Sequence, residues 1–196
     1  MLGPDAAMSI FIDWTQQKED LISRVLATRG GWEAWIQAEV TIWAQDQIYP
    51  EQRFLREQFV YKADNGIDYS QERVDFMVND TTNAVLFELK AQSIWSTERS
   101  FLNGCTADVE KLRDKVHPDV RTNGKYSLVF AITQNVAQAL KDQDYKPLVN
   151  ARQPLDEDAV VDNDIDGQAD EDDMDVASEE DGAAYSNFAM LYKLVQ

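Results

Sequence analysis

The chain has a single cysteine, Cys105, among 196 residues. One thiol excludes an internal disulfide framework and any cysteine-based zinc cluster. There is also one histidine, His117, followed by Pro118. That excludes histidine-rich metal sites, and a Ser–His–Asp triad would have to be built on this one ring. The surrounding pattern reads as a helix leaving into a loop, so His117 is expected on a surface loop. No window approaches the roughly 18 to 20 uninterrupted apolar residues of a membrane span. The opening MLGPDAAMSIFIDW puts acids, and no base, around its short apolar run, which makes a poor signal peptide. An intracellular protein, cytoplasmic or nuclear and without a membrane partner, is the expectation.

Basic residues are scarce too, 18 against 36 acids, for a net charge of −18. Taken whole, that argues against nucleic acid as a partner. The imbalance is local, however. The run DEDAVVDNDIDGQADEDDMDVASEED (156–181) holds fourteen acids and no base, so the other 170 residues carry only −4. This run is too poor in apolar residues to pack, and 154–183 is expected to be a disordered insertion. YSNFAMLYKLVQ (185–196) is apolar again and reads as a last strand that rejoins the sheet. On that reading 10–196 is one domain.

What is present is globular: 44% hydrophobic and 10% aromatic residues, in a length that supports one core. Residues 13–28 look helical through Leu21, Ile22, Val25 and Leu26, and Gly30-Gly31 breaks them. A second helix follows over 31–47, closed by Pro50. Strands are expected at 56–62, 73–80 and 83–92, a helix at 100–117, a central strand at 125–133 and a helix at 134–143. The order α-α-β-β-β-α-β-α-β implies an α/β domain whose mixed central sheet is flanked by helices.

Two features carry chemistry. The stretch GWEAWIQAEVTIWA (31–44) aligns Trp32, Trp35, Ile36, Val40 and Trp43 on one helical stripe, with Glu39 inside the arc. A carboxylate aimed into an apolar face needs a partner or a metal. Arg53 and Arg56 are structural partners that such an acid could take. The second feature is a strand pair. If Thr81-Thr82 turns a hairpin, positions summing to 163 face each other and Asp75 lies opposite Glu88. Glu88, Lys90 and Gln92 then share that face, with Val85, Phe87 and Leu89 on the other. Two adjacent carboxylates repel unless a cation joins them. Their oxygens suit a hard divalent ion such as Mg2+ or Mn2+. A lysine beside them can orient water and stabilise charge on a phosphoryl oxygen.

Asp75, twelve residues, then Glu88-Leu89-Lys90, with an acid on a preceding helix, resembles the PD-(D/E)xK nuclease superfamily. The similarity covers about residues 30–133, although Val74 stands where the motif name has proline. In finer detail the chain is similar to fungal members with a GGWE-type helix. The resemblance implies a restriction-endonuclease-like core and a divalent-metal-dependent (endo)nuclease acting on DNA or RNA. It implies that Asp75 and Glu88 hold the metal, that Lys90 serves the nucleophilic water and that Glu39 completes the site. Gln92, Arg73 and Lys111 are candidate substrate contacts, and Arg99, Arg121 and Lys125 are basic groups placed to meet phosphate. The acidic insertion would compete with phosphates for these groups as an autoinhibitor, or bind a protein. The alternative is a nuclease-fold domain with reduced chemistry, acting in nucleic-acid or protein binding.

Overall fold

A computed structural model describes residues 1–26, 32–47, 53–93, 95–149 and 188–196. Ten elements follow in order: α1 (Pro4–Leu26), α2 (Trp32–Gln47), β1 (Phe54–Gln58), β2 (Val74–Val78), β3 (Ala84–Ala91), α3 (Glu98–Asp114), β4 (Thr122–Ala131), α4 (Gln134–Lys141), β5 (Lys146–Val149) and β6 (Ala189–Leu194). The fold is α/β: one open sheet of six strands in the order β1-β2-β3-β4-β6-β5, flanked by four helices. The β3–β4 pair is parallel and every other pair is antiparallel. A parallel pair needs a crossover, which α3 provides. The Gly30-Gly31 break, Pro50 and the acidic insertion 154–183 lie outside the described residues.

Three elements differ from the sequence expectation, each for a local reason. Helix α1 starts nine residues earlier than residue 13, because Pro4 suits a first helical turn and Asp5 complements its dipole. This early part belongs to the core: Ala7, Met8, Ile10 and Phe11 are buried, and Leu2 is tied to Asn79 by reciprocal hydrogen bonds of 2.9 Å. Strand β1 occupies 54–58 rather than 56–62. Glu57 sits at φ 57°, and beyond it Tyr61 leaves the sheet to form a bridge with Val116. Strand β5 was not expected. Its four residues include Pro147, which an edge strand tolerates because one side of it needs no ladder bonds.

The β2–β3 register is the one in which positions sum to 163, with Phe76 opposite Phe87 and Val78 opposite Val85. Asn83 N donates to Asp80 O at 3.2 Å, which closes a turn over Thr81-Thr82. Asn79 takes φ 70°, and the Asp80 carboxylate accepts from Thr82 N at 2.9 Å. Alternation then divides β3 between two cores. Val85, Phe87 and Leu89 join Phe11, Trp14, Ile36, Val40, Phe54 and Phe76 under α1 and α2. Phe11 is the hub, with ring centroids 4.8 Å from Phe87 and 5.3 Å from Phe76. Leu86 faces the other way, with Met77, Tyr61 and Leu112 of α3. Glu88 has the parity of Leu86, so its carboxyl belongs to the α3 side. Among the described residues no helix is long and apolar enough to cross a membrane.

Candidate functional site

The site forms where β2 and β3 run side by side under α3. Glu88 is only 3% exposed. Its Oε1 accepts from the Tyr61 hydroxyl and lies 2.8 Å from Lys111 Nζ. Asp75 is partly buried and doubly held: Oδ1 accepts from Gln37 Nε2 at 2.7 Å and Oδ2 from Leu89 N at 2.6 Å. The Asp75 and Glu88 carboxyls stand side by side, so each feels the other's charge. Burial, then the negative charge of Asp75, pushes Glu88 up to about 9, against the opposing pull of Lys111 and Tyr61. Burial likewise raises Asp75 above the usual carboxylate range. At neutral pH Glu88 therefore keeps its proton.

Lys90 lies one step along the same face. Its Nζ is 3.4 Å from Glu33 Oε1 and 3.6 Å from Asp108 Oδ2. Burial pulls this ammonium down, but Asp108 and Glu33 more than offset it, so it titrates above its ordinary range. Lys90 has room because position 104 of α3 is glycine: a Cβ there would stand 3.2 Å from Lys90 Cε. Helix α3 starts firmly, with the Thr97 hydroxyl accepting from Ser100 N. Its buried face is Phe101, Cys105, Asp108 and Leu112, and burial raises the Cys105 thiol to about 12.

Asp75, Glu88, Lys90 and Lys111 thus converge, whereas Glu39 does not. Helix α2 packs Ile36, Val40 and Ala44 on the Phe87 side of the sheet, opposite to the face that carries Glu88. Only its rim reaches the site, through Glu33 and Gln37. Glu39 is about 160° around the helix from Gln37, on the far rim, and is half-buried. The carboxylate expected from this helix is therefore Glu33. Gln37 in turn accepts from Arg56 at 3.2 Å, relaying that guanidinium toward Asp75.

The other sequence candidates find different surroundings. Gln92 is buried and spends its amide internally: Oε1 accepts from Ile132 N at 2.8 Å and Thr133 N at 3.2 Å, and Nε2 donates to Thr133 Oγ1. It ties β3 to the start of α4 and has no free end for a substrate. Arg73 is exposed, 3.6 Å from Glu57 and stacked over Phe59. His117 is buried, not on the surface: its ring stacks on Tyr69 and its Nε2 lies 2.8 Å from Ile67 O. It staples the 59–72 loop to the end of α3.

Two neighbouring carboxyls, one of them protonated, are a donor set a hard cation can take by displacing that proton. Asp75 and Glu88 are the residues that would hold it. Among the described residues no cluster of three His, Cys, Asp or Glu side chains is arranged around a common point. Mg2+ commonly uses one or two carboxylates and keeps its waters, so two suffice. An open groove of about 890 Å³ beside β5 and β6, lined by Ile12, Tyr126, Lys146 and Tyr192, contains none of these groups.

Asp108 and Tyr61 were not legible as site residues, although Asp108 carries the signal sought at Glu39. It is an acid inside an apolar helical face, three residues after Cys105 and four before Leu112. Comparison with protein-family models, curated proteins and solved structures finds no match to this chain.

Proposed function

We propose that the chain is a divalent-metal-dependent nuclease of the PD-(D/E)xK type with a restriction-endonuclease-like core. The observation that carries this reading is the juxtaposition of Asp75, Glu88 and Lys90 on two paired strands, capped by a crossover helix that leads to a parallel strand. Asp75 and Glu88 would hold Mg2+ or Mn2+. When bound, the ion polarises a phosphoryl oxygen and acidifies a water. Gln37 and the Leu89 amide fix the Asp75 carboxylate, and Tyr61 fixes Glu88. Lys90 stays charged between Glu33 and Asp108, in position to orient water or to donate to a phosphate oxygen. DNA or RNA is the substrate class, because the parts suit attack of water on a phosphodiester.

The second reading, a nuclease-fold domain with reduced chemistry, draws on one observation. Lys111 already sits on Glu88 and both site lysines are paired with acids. Cleavage of single- and double-stranded DNA and RNA in Mg2+ and in Mn2+ separates the two. Metal-dependent cleavage that falls at least a hundredfold in Lys90→Ala supports the enzyme, on the scale of losing one transition-state contact. No cleavage of any substrate by the wild-type chain removes the enzyme reading.

A further inference from the structure

Among the described residues, Lys111 is the cation in contact with the Asp75–Glu88 pair. It comes from α3, not from the strand motif, and its Nζ is 2.8 Å from Glu88 Oε1. The Tyr61 ring lies under the ammonium, 5.1 Å to the centroid. One turn earlier on the same helix, Asp108 Oδ1 is 3.8 Å from the same nitrogen. Asp108 Oδ2 is buried and accepts no hydrogen bond; Lys90 stands 3.6 Å from it. The cluster thus contains a cation on the proposed metal ligand Glu88 and, beside it, an acid whose bonding is incomplete.

Resting on the metal-site reading above, we propose that Lys111 is a tethered counter-ion: its ammonium holds, on Glu88, the place a divalent cation takes, and Asp108 is the seat to which it withdraws. A buried carboxyl pair that ionises needs a positive charge beside it, and the ammonium supplies one. A lysine is a compact point charge on a flexible stem and can change partners without moving backbone. An arriving divalent ion would repel the ammonium, and Asp108 is already within an ångström or so of contact. Withdrawal would give Asp108 Oδ1 a charged partner beside the Lys90 ammonium at Oδ2 and leave Lys111 beside the site as a phosphate contact. The metal affinity of the site is then set by competition with the protein's own lysine.

The test is calorimetric titration of the full chain with MnCl2, beside Lys111→Met, Asp108→Asn and the double variant. Lys111→Met is expected to bind Mn2+ tighter, by roughly five- to a hundredfold, the range of a typical coupling between sites. Asp108→Asn is expected to bind several-fold more weakly, because the displaced ammonium loses its seat. In the Lys111→Met background that effect of Asp108→Asn should vanish, which a general structural role would not produce. Unchanged or weaker Mn2+ binding in a folded Lys111→Met chain overturns the proposal but leaves the metal reading standing. Absence of Mn2+ binding in every chain overturns both. Should Lys111→Met fail to fold, Mg2+ titration of the wild type, followed by the NMR signal of the Lys111 ammonium, decides. A signal that stays unmoved while Mg2+ binds overturns the proposal.

Discussion

Replacing Glu88 by glutamine should remove most of the pH dependence of this protein's stability around neutrality. The glutamine keeps the shape and can still accept from Tyr61, but it cannot ionise. In the folded chain the Glu88 carboxyl holds its proton up to about 9, against an ordinary value of 4.5, because it is buried and then because Asp75 is beside it. Its folded-state pKa is raised, so its stabilising contribution is complete below about 4.5 and is lost as the pH climbs toward 9. Across that window the native state binds one proton that the unfolded chain has released. Stability then falls by about 1.4 kcal/mol per pH unit. From pH 6 to pH 8 the loss is about 3 kcal/mol, or about 6–12 °C in unfolding midpoint for a chain of this size. Asp75 and Glu88 interact electrostatically and titrate as coupled groups, and Glu88→Gln removes the group that holds the proton across this window. Burial also raises Glu33 and Asp108, but both chains share those contributions and the difference isolates Glu88. Urea unfolding followed by tryptophan fluorescence, in chelator, at pH 6, 7 and 8, measures it. Parallel pH profiles for wild type and Glu88→Gln would refute the claim that Glu88 is a buried carboxyl raised beside Asp75.

Three further outcomes are expected. Tyr61→Phe removes the donor to Glu88, so it should cost about 1.5–3 kcal/mol above the Glu88 midpoint and less below it; urea unfolding extended to about one pH unit on either side of that midpoint reads this. Gly104→Ala should raise the unfolding midpoint by about 2–4 °C, from roughly 1 kcal/mol of helix propensity, while cleavage falls because the new Cβ crowds Lys90 Cε at 3.2 Å; thermal scans and the cleavage assay check the two halves separately. Asn79→Ala should lose about 2–4 kcal/mol, since Asn79 holds Leu2 and Asn83 at φ 70°. Asn79→Gly should recover about 1–2 kcal/mol of that by relieving the backbone, as urea midpoints would show.

Much of the architecture is written in local pattern. Taking Thr81-Thr82 as the turn predicts the β2–β3 register, and alternation in 73–80 and 83–92 opposes a one-residue slip, which would turn Phe76 and Phe87 out of the core. That register alone places Asp75 opposite Glu88 and Lys90 on the same face. Composition also bounds the chemistry, since one thiol and one histidine leave carboxylates and lysines as the groups able to build a site. The helix rims were beyond local reading. Which side of α2 meets the sheet depends on how α1 and β3 fill the space beside it. The buried arc runs through Trp32, Ile36, Val40 and Ala44, with Trp35 and Trp43 only partly buried, which brings Glu33 and Gln37 to the strands and leaves Glu39 behind. Asp108, Lys111 and Tyr61 reach the site across sequence separations of 20 residues or more from Glu88, through a crossover helix and a loop whose paths no local period encodes. Local periodicity determines which face of an element is apolar. Only tertiary packing decides which polar residue at the edge of that face lands beside which other, because burial is enforced over a whole face and the neighbour of a rim residue is set by the docking of separate elements.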